Sequence, residues 1–122
     1  MTSIEHRQAK RYPYQWKVAV VFEATEAKDT YHGVTFDIST GGCAILTESN
    51  VYSEHPVSVL ISLPAENPNG RPKIVEVRGR MVYTVLSAGG VQKFRLGIQF
   101  LNFKGSGRSI LSRAFAKRDI SF

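Results

Sequence analysis

The strongest constraint on this chain is an alternation of period two that keeps returning along it. Successive side chains of a strand point to opposite faces, so a run with every second residue apolar fits a half-buried strand. Within residues 14–22, Tyr14, Trp16, Val18, Val20 and Phe22 share one face, with Gln15 and Lys17 on the other. Val57, Val59, Ile61 and Leu63 alternate in the same way with Ser58, Leu60 and Ser62, and the turn-rich PAENPNGRP then ends the run. A third run sets Val75, Val77, Met81, Tyr83 and Val85 against Glu76, Arg78, Arg80 and Thr84. Gly79 falls on its apolar side, where a bend or a close backbone contact is expected. In FRLGIQF, Phe94, Leu96, Ile98 and Phe100 oppose Arg95, Gly97 and Gln99. TYHGVTF and CAILT bring the number of strands to about six. Short strands, each with one apolar face and joined by turns, predict a mainly β chain folded as a six-stranded antiparallel β-barrel, whose closure removes exposed edges.

After NFKGSG the period changes. In RSILSRAFAKR, Ile110, Leu111, Ala114 and Phe115 fall at helical spacing, while Arg113, Lys117 and Arg118 suit the opposite face or the last turn. This predicts a short C-terminal α-helix packed on the barrel, with Ser106 or Gly107 near its start as a plain capping turn. The first residues, MTSIEHRQAKR, carry no such pattern and read as a mobile polar arm. The expected organisation is an arm over residues 1–12, a barrel over 13–104 and the helix and tail over 105–122. A length of 122 residues, 43% of them apolar, suits one domain with one core. The longest obvious apolar run, VAVVF, is too short to cross a bilayer, and no charged start leads into a signal-like stretch. A cytoplasmic protein without a transmembrane segment is expected, and the single Cys43 excludes an internal disulfide.

Catalysis and metal chemistry find little support. Ser39 as a nucleophile needs a base within reach and an orienting third group. His6, His32 and His55 are isolated from one another, and DISTGG lacks the nucleophile-elbow form. The same histidines lack ligand-like spacing with carboxylates or Cys43, so no metal site and no cofactor are expected. Cys43 reads as a small packed residue at a strand start. Sixteen Lys and Arg against ten Asp and Glu give a formal charge of +6, which favours an anionic partner. A nucleic-acid-binding barrel fits that charge, but it needs exposed aromatics among its basic residues. Tyr14, Trp16, Phe94 and Phe100 fall on the face assigned to the core, so no nucleic-acid partner is expected.

Two short stretches have complementary chemistry. RQAKR places Arg7 and Arg11 four residues apart with Lys10 between them, and DISTGG packs Asp37, Ser39, Gly41 and Gly42 into a strand connection. Turn chemistry alone accounts for the second stretch, and a solvated basic arm for the first. Together they are the halves of a guanine-nucleotide site. Arginine can fork onto the O6 and N7 edge of guanine, stack on the base and reach a phosphate. An acceptor-only Asp37 suits the N1 and N2 donors of the opposite edge, with the Ser39 hydroxyl as a smaller partner. Gly42 admits ligand or backbone where a side chain would intrude.

These stretches resemble the paired signature of the PilZ domain family, RxxxR followed by [D/N]xSxxG. Arg7 and Arg11 fall in the first motif, and Asp37, Ser39 and Gly42 in the second. GRMV and LGIQF are similar to two later strands of the family pattern, so the resemblance runs over roughly residues 7–103. It implies a six-stranded barrel that binds cyclic di-GMP, a receptor without catalysis. Arg7 and Arg11 would hold guanine and phosphate from the arm, Asp37 and Ser39 would read a guanine edge, and Gly42 would shape the loop. His6, Lys10 and Gly41 are further candidate contacts, and His6 occupies the position that in the family influences how many ligand molecules bind. The expected mechanism is ordering of the arm on binding, which signals to a downstream protein. The alternative within the family is an adaptor that acts through protein contacts without ligand.

Overall fold

The computed structural model describes residues 10–24, 26–87 and 93–119. Six strands form as the alternation predicts: β1 (Lys17–Val21), β2 (Thr30–Ile38), β3 (Gly42–Thr47), β4 (Val57–Leu63), β5 (Lys73–Leu86) and β6 (Phe94–Phe103). One helix, α1 (Gly107–Asp119), follows. The strands close into an antiparallel barrel in the order β1-β2-β3-β6-β5-β4. The interior is filled by the predicted faces. Val18 and Val20 of β1, Val57, Val59, Ile61 and Leu63 of β4, and Val75, Val77 and Met81 of β5 are all buried. Leu96 and Ile98 of β6 meet Cys43 and Ile45 of β3 in the same core.

Alternation breaks at three places, and each break is a β-bulge. On β2 the pairing jumps from Thr35↔Ile45 to Asp37↔Ala44, which leaves Phe36 as an extra residue. On β5 it jumps from Met81↔Ile98 to Tyr83↔Gly97, leaving Val82. Leu101 of β6 is left over where Arg78↔Asn102 gives way to Gly79↔Phe100. Val82 is 57% exposed and Leu101 42%, as expected of unpaired residues on an outer wall. The β5 bulge overturns one expectation. Tyr83 and Val85, read as core residues, lie on the outside at 37% and 41% exposure, because one extra residue reverses the facing of everything beyond it. Gly79 does sit at a close backbone approach: a Cβ there would lie 2.7 Å from Ile98 Cγ2 and 3.0 Å from the Gln99 carbonyl oxygen.

A second apolar layer lies between α1 and the segment ahead of β1. Tyr12 and Phe115 stack with ring centroids 4.3 Å apart, and Trp16 lies 6.0 Å from Phe115. Tyr12, Trp16 and Phe115 are buried together with Leu111 and Ala114 of the helix. Tyr14, half-buried, stacks between Tyr12 and Trp16 at 5.3 and 5.1 Å, and the Arg118 guanidinium covers Tyr14 and Trp16 at 5.8 and 5.4 Å. The helix starts from a turn in which Gly105 takes a φ of 59°, a left-handed conformation that suits glycine. The Ser106 carbonyl accepts from the Ile110 amide at 3.0 Å in the first turn. Among the described residues no helix is long and apolar enough to cross a membrane.

Candidate ligand-binding site

The segment preceding β1 is held against β2 by backbone and side-chain bonds, and this fixes where Arg11 can reach. Tyr12 N donates to the Ile38 carbonyl at 2.8 Å, and Ile38 N donates back to Tyr12 at 2.9 Å. Further along, Thr35 N donates to the Trp16 carbonyl at 2.9 Å, and the Thr35 hydroxyl accepts from Trp16 N at 2.9 Å. The same hydroxyl donates to the Tyr14 carbonyl at 2.5 Å. Arg11 therefore stands beside the end of β2. Its Nη2 reaches the Asp37 Oδ1 at 2.5 Å, with the two side chains 50% and 26% exposed. The hydrogen bond to Asp37 raises the Arg11 pKa above its ordinary value, so the guanidinium stays charged.

Asp37 is available to Arg11 because of the β2 bulge. Strict alternation would turn Asp37 inward after the buried Thr35, but the extra Phe36 sends it out while Ile38 returns to the core. The chain then reverses through Thr40 and Gly41. Ser39 N donates to the Gly42 carbonyl at 2.8 Å, and the buried Ser39 hydroxyl accepts from the amides of Gly41 and Gly42 at 3.0 and 3.2 Å. That hydroxyl also lies 3.4 Å from the Gly42 carbonyl, so its hydrogen-bonding capacity is taken up within the turn. The Gly41 carbonyl accepts from Phe100 N at 2.9 Å, tying the exposed hairpin tip to β6. A Cβ on Gly42 would lie 2.4 Å from the Ile98 carbonyl oxygen. The residue at this position is therefore set by the approach of the β6 backbone.

The two motifs thus meet in space. Arg11 of RQAKR and Ser39, Gly41 and Gly42 of DISTGG line one open cleft of about 560 Å³, together with Tyr83 and Gln99. That volume lies within the ordinary range for small-molecule sites, roughly 300–1,000 Å³. Lys10 is exposed, with its ammonium 5.2 Å from the centre of the Tyr12 ring. Arg7 and His6 lie outside the described residues. Cys43 also borders the cleft, but it is buried, and burial pushes its thiol up to about 12, so it carries no thiolate at neutral pH. Among the described residues no three His, Cys, Asp or Glu side chains converge as metal ligands would.

Tyr83 is a cleft residue that the sequence reading placed in the core and the structure places outside it. The signal was present in MVYTVL, where apolar residues occur at both parities, a phase slip that marks a bulge.

The model of the PilZ domain family matches residues 5–117. No match was found among the curated proteins. Among solved structures, the chain is similar to the inhibitor of motility MotI/DgrA of Bacillus subtilis, with a TM-score of 0.72 and 16% identity over 93% of this chain and 51% of that one. It is similar to YcgR of Escherichia coli in complex with c-di-GMP, with a TM-score of 0.66 and 14% identity over 93% of this chain and 46% of that one. The separate PilZ domain of YcgR with c-di-GMP gives a TM-score of 0.64 and 15% identity over 93% of this chain and 92% of that one. The chain therefore spans about half the length of the first two proteins and nearly all of the isolated domain.

Proposed function

The chain belongs to the PilZ domain family, and from that premise we propose that it is a receptor for cyclic di-GMP that binds the ligand without transforming it and signals to a downstream protein. The observation that carries this reading is the meeting of Arg11 and Asp37. Arg11 and Asp37, 26 positions apart in two motifs, pair at 2.5 Å, and Arg11 lines the cleft together with Ser39, Gly41 and Gly42 of the second motif.

Without ligand, Arg11 and Asp37 neutralise each other. A half-exposed pair of this kind is worth about 0–1 kcal/mol, so it orients the two groups without locking the site. A guanine base offers N1 and N2 donors to Asp37 and O6 and N7 acceptors to an arginine, and can replace the direct pair with two charge-assisted sets of bonds. Arg7 joins from the arm as the first member of RxxxR. Ser39 acts by holding the hairpin closed, and Gly42 by letting β6 come close beneath it. Gly41, Lys10 and His6 stand as neighbouring contacts to the ligand's sugar and phosphates. Ordering of the residues around Arg7 to Arg11 on the bound ligand changes the surface seen by the downstream protein.

Calorimetric titration of the purified protein with cyclic di-GMP, with GTP and cyclic di-AMP as controls, tests the reading. Saturable heat is expected for cyclic di-GMP alone. Arg11→Ala is expected to weaken binding about tenfold or more, since a bidentate arginine contact to guanine is worth about 1–3 kcal/mol. Heats no larger than dilution for the folded protein, or an Arg11→Ala isotherm identical to wild type, would defeat it.

A further inference from the structure

The outward side of a barrel strand is ordinarily polar, so apolar residues gathered there need a reason. One row of the outer wall breaks the rule. Val34 of β2 stands opposite Leu46 of β3, Leu46 opposite Arg95 of β6, and Arg95 opposite Val85 of β5. The bulge residue Phe36 joins the row from β2, with its ring centre 5.0 Å from the Arg95 guanidinium carbon. Phe36 is 43% exposed and Val85 is exposed with it, while Val34 and Leu46 are half-buried. Four apolar side chains and one arginine therefore share an open face.

Arg95 is the unusual member. Its Nε is buried and has no hydrogen-bond partner, and among the described residues no carboxylate pairs with its guanidinium. A guanidinium carries five donors in a fixed fork. The Phe36 ring attracts the charge through a cation–π contact but supplies no oxygen acceptor. We propose that this face docks a partner protein through a segment that presents one Asp or Glu carboxylate between apolar side chains. The carboxylate meets the Arg95 guanidinium, and its apolar neighbours cover Phe36 and Val85. Charge complementarity selects this occupant. An arginine beside an aromatic ring, rimmed by apolar residues that exclude water, is where the strongest contacts of protein interfaces concentrate. A phosphate or nucleotide would meet the cation and leave the apolar residues uncovered. A second copy of this chain is disfavoured by the +6 charge that both copies carry. The face lies outside both motifs, and its role does not depend on the cyclic di-GMP reading. The competing role for Arg95 is a lid on Phe36 that serves the barrel alone.

A random dodecapeptide display library panned on the folded full chain separates these roles. The selected peptides are expected to share an Asp or Glu flanked by apolar or aromatic residues. For one such synthetic peptide, fluorescence anisotropy should show a loss of about tenfold or more when its carboxylate becomes an amide, and a similar loss with Arg95→Gln. Val85→Ser should weaken the same peptide about threefold, since it removes part of the apolar cover. Arg95→Gln should leave the midpoint of thermal unfolding and the calorimetric response to cyclic di-GMP as in wild type. No enrichment over an Arg95→Gln decoy, or selected peptides without a carboxylate, overturns the docking role. So does a lowered midpoint in Arg95→Gln with unchanged peptide affinity, which assigns the side chain to the lid. Weakened cyclic di-GMP binding in that variant assigns Arg95 to the nucleotide, and a dimer seen in sedimentation that needs Arg95 assigns the face to a second copy; either result also overturns it.

Discussion

Single residues in this site are constrained by different neighbours, although the motif presents them as a unit. Asp37 is held by a guanidinium, Ser39 by two amides of its own turn, and Gly42 by a carbonyl of the adjacent strand. The last gives a direct expectation. Gly42→Ala places a methyl group 2.4 Å from the Ile98 oxygen, and overpacking of this kind typically costs about 1–3 kcal/mol. The midpoint of thermal unfolding followed by circular dichroism should fall by several degrees without ligand present. An unchanged midpoint would show that the β3–β6 pairing has room that the geometry denies. The residue types of both motifs, and their order, were legible from the chain. The internal use of the Ser39 hydroxyl was not, because a hydroxyl that closes a turn and one that meets a ligand look the same in a string of letters.

At the scale of elements, period-two alternation located all six strands, and helical spacing located α1 with its buried Leu111, Ala114 and Phe115. The bulges stayed hidden because a bulge changes facing without changing residue type. Tyr83 and Val85 were consequently assigned inward. The docking of α1 was legible only on one side: its apolar residues were evident, whereas their partners Tyr12 and Trp16 come from the far end of the chain. This contact makes Phe115 the anchor of the helix. Phe115→Ala should destabilise the protein by about 3–5 kcal/mol, read as a lower urea midpoint, because it empties the space between three stacked rings. If the loss is below about 1 kcal/mol, the helix is held mainly by Leu111 and the aromatic layer is secondary.

For the molecule as a whole, barrel closure places Cys43 in the common core, and this couples global stability to alkaline pH. The thiol is raised by burial to about 12 in the folded chain, against about 8.5 when exposed. Its stabilising contribution is complete below about pH 8.5. As pH climbs from there toward 12, the unfolded state sheds a proton that the native state keeps, and stability falls on the order of 1.4 kcal/mol per pH unit. Cys43→Ala should flatten that part of the stability profile, measured by denaturant unfolding between pH 8 and 10. A profile equally steep in the variant would assign the decline to other groups. The same sequestered thiol, together with the ring contact between Tyr12 and Phe115, has a practical consequence. Cysteines introduced at the exposed positions of Lys10 and Ala116 would take dyes while Cys43 stays unlabelled, one dye two residues before Tyr12 and the other next to Phe115. Any lifting of the leading segment away from the helix would then change the energy transfer between the dyes, turning the Tyr12–Phe115 junction into an optical gauge.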